Sequence, residues 1–310
     1  MNIIEPISQI RLFGLGNYLN ELIRLYEKNK LPNKILLSGQ KGFGKSTMAY
    51  HFINYVLSKN QEFEYDIENF TINIENHSFK TVLNKSNTNL FVIDVDSEKK
   101  SIDINQIREL ISDLNKSSFN TKPRFILIDN IEFLNINSIN ALLKSLEEPP
   151  TNTYFILVNN NKKIPPTLLS RCINFKISLT NQECLEISEK LINKRIDDVI
   201  NRDLMNYYLS PGNIYNFFVF SQNNEFDLIN FDLKNFLKTL INDKYYKKDT
   251  FIKYIIYDLI EFYFNKISSS FSKKISDNYS YFLKRINDTK KFNLDEESLF
   301  IEFENKILNG

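Results

Sequence analysis

The first half of this chain is predicted to form an α/β domain, a parallel sheet flanked by helices, and the remainder is predicted to be helical. Short apolar runs typical of buried strands alternate with segments of helical spacing up to about residue 176. A glycine-rich loop lies between the first apolar run and the helical segment that follows it. Beyond Gly212 the chain has no proline and only the terminal Gly310, so residues that break helices are missing there.

Length and composition describe a globular protein of two or three domains. The chain has 310 residues, of which 42% are hydrophobic and 25% charged, and a formal net charge of +1. This charge excludes a strongly basic protein that coats nucleic acid, so contact with DNA would need a local patch or a partner. Two cysteines, Cys172 and Cys184, are too few for a four-cysteine zinc site. With no apolar run of roughly 20 residues and no signal-like N-terminus, we expect a cytoplasmic protein without membrane contact.

The stretch from Ser38 to Thr47 fits the pattern G-x-x-x-x-G-K-[ST] of a phosphate-binding loop, or P-loop. It follows the apolar run 35–37 and precedes helical spacing over 48–56, which is the strand–loop–helix setting that the motif requires. Backbone N–H groups can turn toward a phosphate chain only where no Cβ obstructs the loop, which explains the glycines. The predicted nucleotide-binding residues here are Gly39, Gln40, Lys41, Gly42, Phe43, Gly44, Lys45, Ser46 and Thr47.

Lys45 and Ser46 have separate predicted roles in this loop. Lys45 would place its positive charge on the outer phosphates, and the Ser46 hydroxyl would bind Mg²⁺. The N-terminus of the following helix would add a partial positive charge. The loop therefore predicts a triphosphate site with Mg²⁺, and the alternative is a plain glycine turn before a helix.

The segments on either side of the P-loop carry less information about function. Apolar residues from Leu19 to Tyr26 recur at helical spacing and predict a leading helix. The stretch 60–89 is polar and rich in asparagine, and we assign no function to it. His51 and His77 have no Cys or His neighbours, so they are interpreted as ordinary core or surface residues rather than as metal ligands.

Two further apolar runs, 90–95 and 124–128, are predicted strands, and helical spacing over 104–114 connects them. The second run ends in Asp129, which is the expected Mg²⁺ partner because the acid at this strand end holds the metal in P-loop proteins. The alternative is an aspartate that ends a strand by chance. The next residue, Asn130, carries an amide that cannot accept a proton, so we expect nucleotide binding with weak intrinsic hydrolysis.

The next predicted helix, 137–148, is stopped by Pro149 and Pro150, and a buried strand follows at 154–158. Polar residues at the end of such a strand lie where ligands bind in open parallel sheets. Asn159 is therefore a candidate sensor of the terminal phosphate. An ordinary turn asparagine is the alternative.

The C-terminal part of the chain is predicted to be helical throughout. Thr180, with Glu183 three residues later, forms a predicted capping box at the start of a short helical region, the lid, which runs to about Ser221. Apolar residues at helical spacing then continue toward the C-terminus. The predicted domains are an α/β domain at 1–176, the lid at 177–221 and a C-terminal helical domain at 222–310.

Three strings of residues carry a family resemblance. Residues 140–150 read N-A-L-L-K-S-L-E-E-P-P, the strand F-I-L-V follows at 155–158, and residues 165–172 read P-P-T-L-L-S-R-C. This set resembles the signature of AAA+ clamp-loader subunits, and within that family it is most similar to the delta-prime type of bacterial DNA polymerase III. The resemblance covers roughly residues 10–175.

The resemblance implies an AAA+ nucleotide-binding domain, a helical lid and a C-terminal collar through which subunits join. Clamp loaders are pentameric rings that use ATP and Mg²⁺ to open a sliding clamp and close it on primed DNA during replication. The implied partners are the delta and gamma/tau subunits in a hetero-pentamer, the beta clamp and primer–template DNA. Arg171 of the S-R-C string would act in trans as an arginine finger on a neighbouring subunit's ATP, whereas the residues alone favour a solvated or ion-paired arginine.

The chain departs from the family's pattern in three places, and two of these departures, at Asn130 and in the stretch 209–213, favour a stator that donates Arg171 over a hydrolysing motor. Many relatives carry a four-cysteine zinc module after the P-loop helix, and this chain has no cysteine there, so no zinc is expected. Relatives that hydrolyse ATP carry Asp-Glu where this chain has Asp129-Asn130, and a lid arginine where the stretch 209–213 has no basic residue. The alternatives are a gamma/tau-type motor subunit and, outside this family, a P-loop kinase or an unrelated P-loop ATPase.

Overall fold

The structure is a computed structural model and describes residues 5–95, 101–114, 116, 120–205, 210–267, 273–292 and 294–309. The chain divides into two compact units. The first, the α/β unit, contains residues 2–191 and 210–212, and the second, the helical unit, contains residues 192–209 and 213–310. The three predicted domains, with limits at 176 and 221, remain a prediction.

The α/β unit is built on a five-stranded parallel sheet. Its strands are β1 (Lys34–Ser38), β2 (Leu90–Ile93), β3 (Arg124–Ile128), β4 (Thr153–Asn159) and β5 (Ile173–Lys176). They lie in the order β2-β3-β4-β1-β5, and every neighbouring pair is parallel. The predicted α/β class is confirmed. Because β1 lies between β4 and β5, the loop that follows β1 opens inside the carboxyl edge of the sheet, where ligands bind in such folds.

Seven helices accompany this sheet among the described residues. They are α1 (Gly16–Glu27), α2 (Lys45–Ser58), α3 (His77–Leu83), α4 (Ile104–Leu114), α5 (Ile136–Glu147), α6 (Pro166–Leu169) and α7 (Asn181–Ile192). The predicted capping box precedes α7: the Thr180 N–H donates to Glu183 Oε2 at 2.7 Å, and the Glu183 N–H donates to Thr180 Oγ1 at 3.2 Å. These two bonds satisfy N–H groups that have no partner within the helix.

Strand side chains alternate between two buried layers, one on each face of the sheet. Ile35 and Leu37 of β1 lie in the layer that contains residues of α1 and α2, whereas Leu36 lies in the layer that contains residues of α4 and α5. All five residues of β3 are buried. Burial on both faces explains why these strands read as continuous apolar runs and not as an alternating pattern.

The segment between α2 and β2 is tied to α2 by buried polar side chains. The side chain of fully buried Asn76 caps α3, because its Oδ1 accepts a hydrogen bond from the Phe79 N–H at 2.9 Å. His51 of α2 is also fully buried, with one ring nitrogen 2.9 Å from the Tyr65 hydroxyl and the other 2.9 Å from the Gln9 carbonyl oxygen. Burial lowers the pKa of His51 to about 4, so it is a neutral core residue, as its isolation in the sequence indicates.

The helices of the remaining described chain agree with the prediction from the lack of proline and of internal glycine beyond Gly212. Its helices are α8 (Pro211–Asn224), α9 (Leu233–Asn242), α10 (Tyr245–Lys248), α11 (Thr250–Ile267), α12 (Lys273–Phe292) and α13 (Glu296–Phe303). The helical unit has an aromatic core whose almost completely buried members include Phe236, Phe264, Phe282, Phe300 and Phe303. None of the helices in the described ranges is both long and apolar enough to cross a membrane.

Candidate nucleotide-binding site

The P-loop connects β1 to α2, and its shape requires glycine at three positions. Gly42 and Gly44 have φ angles of 84° and 81°, in the left-handed region that side chains disfavour. Gly39 lies against the backbone after β5, and a Cβ there would come within 2.4 Å of the Ile177 carbonyl oxygen. The loop can therefore keep this path only with glycine at these positions.

The other predicted loop residues occupy different surroundings. Lys41 is exposed at the tip of the loop, and Phe43 is buried in the core beneath it. Thr47 is half-buried in the first turn of α2, and Gln40 turns its carbonyl oxygen toward the inside of the loop, where Lys45 reaches it. Of these side chains, Phe43 anchors the loop through packing.

Lys45 is a buried cation enclosed by oxygen atoms. Its side chain begins α2, only 3% of the residue is exposed, and its Nζ donates to the Gln40 carbonyl at 2.7 Å and to Asn160 Oδ1 at 2.9 Å. Burial lowers the pKa of Lys45 to about 8, and the nearby carboxylates of Asp129 and Glu132 oppose that shift. The group is therefore charged at neutral pH, in a glycine-lined loop that suits an anion.

Ser46 and Asp129, the two predicted Mg²⁺ ligands, lie in direct contact. The Ser46 hydroxyl donates to Asp129 Oδ2 at 2.5 Å, which places the first turn of α2 beside the end of β3. Burial raises the pKa of Asp129 to about 6, and the hydrogen bond from Ser46 opposes that rise. A hydroxyl and a carboxylate are oxygen ligands of the kind that Mg²⁺ prefers, so the donor set fits this ion.

A cation at this position would need further ligands from a bound nucleotide. Within the described ranges, no three His, Cys, Asp or Glu side chains come together in a way that could hold a metal ion. Mg²⁺ is commonly held by one or two protein groups together with phosphate oxygens and water. The pair Ser46 and Asp129 matches that arrangement.

Two successive asparagines at the end of β4 have different contacts. Asn159, the predicted sensor, is buried, and its side chain bonds the backbone of Lys162, donating to the carbonyl at 2.9 Å and accepting from the N–H at 3.2 Å. Asn160 is the residue that reaches Lys45. The sequence analysis missed Asn160, although its position directly after a buried strand is the same signal that identified Asn159.

Asn130 lies beside this pair in a left-handed turn with a φ of 54°. Its Oδ1 accepts a hydrogen bond from Asn160 Nδ2 at 2.7 Å. Glu132 follows in a short 3₁₀ turn, and its Oε2 accepts from the Asn160 N–H at 3.3 Å. The residue after Asp129 thus contributes an amide to the site, and the nearest following carboxylate is bonded to the loop after β4.

Two residues of the stretch that lacks the lid arginine, Ser210 and Gly212, lie against the P-loop. The Gly212 N–H donates to the Gly42 carbonyl at 3.0 Å, and a Cβ on Gly212 would be 2.9 Å from Gly42 Cα. A Cβ on Gly42 would in turn lie 2.1 Å from Ser210 Oγ. The backbone at Gly212 therefore packs directly on the backbone of the P-loop at Gly42. Leu209, the first residue of the stretch, lies outside the described residues.

Arg171 follows α6 and is held by its own chain. Its Nη1 donates to the Thr167 carbonyl at 2.9 Å, and its Nη2 forms an ion pair with Glu147 at the end of α5. The Arg171 side chain is 30% exposed and that of Glu147 is 54% exposed. The Arg171 side chain thus lies partly exposed at the surface of the α/β unit.

Comparison with known proteins places these features in a family. A family model described as "DNA polymerase III, delta subunit" matches residues 15–181, which is more than half of the chain. The gamma/tau subunit of DNA polymerase III from Mycoplasma genitalium is 29% identical over 202 residues, covering 64% of this chain and 31% of that protein. The delta' subunit from Buchnera aphidicola of Schizaphis graminum is 30% identical over 165 residues, covering 51% and 47%.

A solved structure has the same fold over most of its length. It is a gamma-subunit-related protein of DNA polymerase III from Thermotoga maritima, with a TM-score of 0.50 and 16% identity, and the match covers 92% of this chain and 96% of that one. The curated relatives are longer, since the chain spans between about a third and a half of their length. The extent of the family match shows that this protein belongs to the DNA polymerase III delta subunit family of AAA+ clamp-loader proteins.

Proposed function

We propose that this chain is a delta-prime-type clamp-loader subunit that binds ATP with Mg²⁺, hydrolyses it weakly and donates Arg171 to the ATP of a neighbouring subunit. Family membership and the relative named delta' support the proposal. The observation that carries it is the combination of Asn130 and Arg171. The position after Asp129 has no proton acceptor, whereas the arginine of the S-R-C string has a partly exposed side chain.

In this proposal the loop N–H groups and Lys45 hold the phosphates, and Ser46 and Asp129 hold Mg²⁺. When bound, the cation neutralises charge on the phosphate oxygens. Asn159 keeps its predicted role as sensor of the terminal phosphate, and its bonds to the Lys162 backbone fix the loop that also carries Asn160.

The surroundings of Arg171 suit a residue that changes partners. An ion pair between two partly exposed side chains contributes only about 0–1 kcal/mol, so exchanging Glu147 for phosphate oxygens costs little. The bond from Nη1 to the Thr167 carbonyl does not involve the carboxylate and would still orient the guanidinium during that exchange. A guanidinium placed on the transferring phosphate raises hydrolysis by about 10³- to 10⁵-fold.

The proposed partners follow from the family. They are the delta and gamma/tau subunits in a hetero-pentamer, the beta clamp, and primer–template DNA reached through the complex. The predicted C-terminal helical domain, residues 222–310, would serve as the collar through which the subunits join. The proposed place of action is the replisome at the nucleoid, in the bacterial cytoplasm and without a membrane partner.

The second candidate is a gamma/tau-type motor subunit. The P-loop is complete, and the Glu132 carboxylate lies near Lys45 and is bonded to the Asn160 N–H. The relative from Mycoplasma genitalium also carries the gamma/tau name. ATP turnover by the purified chain separates the two, because a motor hydrolyses ATP by itself whereas the proposed stator requires partners.

The deciding experiment is reconstitution of the loader with Arg171→Ala. We expect assembly to be retained and hydrolysis at the neighbouring ATP site to fall by about 10³-fold, with loss of clamp loading. Arg202→Ala is the matched control, because Arg202 is also a surface arginine in an ion pair, with Asp197. Unchanged hydrolysis and loading with Arg171→Ala would remove the finger assignment.

A further inference from the structure

A line of hydrogen bonds connects Lys45 to the end of β2. Lys45 Nζ donates to Asn160 Oδ1 at 2.9 Å, Asn160 Nδ2 donates to Asn130 Oδ1 at 2.7 Å, and Asn130 Nδ2 donates to Asp94 Oδ1 at 2.7 Å. Asp94 is the first residue after β2. We call Asp94, Asn130 and Asn160 the amide line. It joins the carboxyl ends of three neighbouring strands, β2, β3 and β4.

The two charged ends of the amide line fix the direction of both amides. The Asp94 carboxylate only accepts hydrogen bonds, so Asn130 must turn Nδ2 toward it and Oδ1 toward Asn160. Asn160 must then donate through Nδ2 and present Oδ1 to Lys45. The ammonium at the other end only donates, which requires the same orientation. Both ends therefore direct an amide oxygen at Lys45.

This oxygen lies where it competes with a phosphate. Lys45 is 3% exposed, so its ammonium must be satisfied by the protein or by a ligand. A phosphate oxygen is a charged and therefore stronger acceptor than an amide oxygen, but both need the same N–H groups. An amide oxygen held beside the ammonium also repels an arriving phosphate oxygen, since both atoms are negative.

We infer that Asp94, Asn130 and Asn160 hold the Lys45 ammonium through hydrogen bonds that a phosphate must replace, and that they thereby set the affinity for nucleotide. Asn160 is the direct competitor, and Asp94 and Asn130 are positioning residues that act through it. This inference rests on the proposed function in one respect, that the P-loop binds a nucleotide through Lys45.

The test is the affinity of the full-length protein for ATP, measured by calorimetry in EDTA so that neither Mg²⁺ nor hydrolysis contributes. Asn160→Ala removes the competing oxygen and should tighten ATP binding by about three- to tenfold, because the nucleotide-free protein alone loses a hydrogen bond to a charged group. Asn160→Asp keeps an acceptor toward Lys45 and adds negative charge, so it should weaken binding by about tenfold. Opposite signs at one position exclude general damage to the fold.

Asp94→Asn tests the direction of the amide line. An asparagine can donate or accept, so once a phosphate has taken the Lys45 ammonium neither end fixes the two amides, and Asn130 and Asn160 can turn over. Nδ2 of Asn160 can then face the phosphate. We expect binding about threefold tighter than in the wild type. Loss of negative charge alone would also tighten binding, so the double variant Asp94→Asn with Asn160→Ala is needed. If Asp94 acts through Asn160, the double variant binds ATP no more tightly than Asn160→Ala. If the loss of the Asp94 charge acts directly, the double variant binds ATP more tightly than Asn160→Ala, because the two gains in affinity add.

Matched controls come from the same unit. Asn140→Ala on α5 and Asp113→Asn on α4 repeat the same chemical changes outside the amide line and should leave the affinity unchanged. Weaker binding with Asn160→Ala would identify Asn160 as a phosphate ligand, and unchanged binding would show that it does not compete; either result overturns the inference.

Lys45→Ala separates failure of the inference from failure of the proposed function. If the wild type binds ATP through Lys45 and the substitutions in the amide line do not tighten binding, only the inference fails. If neither the wild type nor Asn160→Ala binds ATP, both fail. If the wild type does not bind and Asn160→Ala does, the inference is supported in its strongest form.

Discussion

Lys45 and Arg171 are the two cationic side chains to which the sequence assigns chemistry, and they have opposite surroundings. Lys45 is 3% exposed and bonded to Gln40 and Asn160 inside the P-loop. The Arg171 side chain is 30% exposed and bonded to Thr167 and Glu147. A buried ammonium can serve only a ligand that enters its own loop, whereas a surface guanidinium can reach another molecule. The difference in burial thus makes the Lys45 ammonium suited to a ligand of this chain and the Arg171 guanidinium suited to a ligand of a partner subunit.

Among measurements on the isolated chain, the largest expected effect is on ATP binding. Lys45→Ala should weaken it by about 100-fold, because a charged donor to the phosphates is lost. Arg171→Ala should leave it within about twofold of the wild type, since its guanidinium bonds residues outside the P-loop. Calorimetry with the isolated chain measures both, and Lys80→Ala is the control, because Lys80 is an exposed lysine that pairs with Glu75 outside the P-loop. Equal losses from Lys45→Ala and Arg171→Ala would place Arg171 in its own chain's site.

An intermediate effect is expected on stability and its dependence on pH. Burial raises the pKa of Asp129 to about 6, above the unfolded value of about 3.9, so the folded state binds the proton more tightly between those values. The contribution of this group to stability therefore falls as pH rises from about 4 to 6. Asp129→Asn should raise the free energy of unfolding at neutral pH by about 2 kcal/mol, and the gain should shrink toward about pH 4.

Urea unfolding of the nucleotide-free protein at several pH values measures this gain. Asp113→Asn is the control, because that carboxylate is partly exposed and its ion pair with Lys116 is a surface pair. A loss of stability with Asp129→Asn at neutral pH would show that the hydrogen bond from Ser46 outweighs the cost of burying the charge.

The smallest expected effect is the change in the free energy of unfolding when the ion pair between Arg171 and Glu147 is removed. Arg171→Ala and Glu147→Ala should each lower the free energy of unfolding by less than about 1 kcal/mol, because both side chains are partly exposed to water. The double variant should show a coupling within the same range. Urea unfolding measures all three. A loss above about 2 kcal/mol from Arg171→Ala would make this arginine a structural residue and remove the contrast with Lys45.

The sequence predicts the parts of the site that depend on local pattern. The P-loop glycines, Lys45 and Ser46 lie within one short stretch whose spacing specifies the loop. Asp129 is more distant, but the end of a buried strand is recognisable, and parallel strands bring their ends to one edge. The structure accordingly brings its carboxylate to Ser46.

Other features could not be predicted, because they depend on geometry at the ends of elements. β5 has only four residues, none of them buried, so it lacks the apolar run that identifies the other strands. Two asparagines follow one another where β4 ends, and only the turn of the backbone decides which side chain meets Lys45. Asp94 is part of the site through Asn130, a contact between different strands that no local pattern contains.

The outcome for Arg171 illustrates how a residue pattern and a family resemblance can lead to different expectations. The residue pattern without the family resemblance favours an arginine in an ion pair, and in the structure Arg171 forms an ion pair with Glu147. The resemblance implies a finger for a neighbouring subunit, and this role stays a proposal. The two are compatible, because a weak surface pair can be exchanged for a stronger anion.

The contact between Gly42 and Gly212 has a consequence for the synthesis of the protein. The ribosome adds roughly 5–20 residues per second, so Gly42 is made many seconds before Gly212. Until Gly212 has been added, the Gly42 carbonyl oxygen cannot accept the hydrogen bond that the Gly212 N–H donates in the folded protein. The surroundings of the P-loop are therefore completed late in translation. A nascent chain that stops before the start of α8 has every residue of the P-loop but lacks the backbone that packs on it.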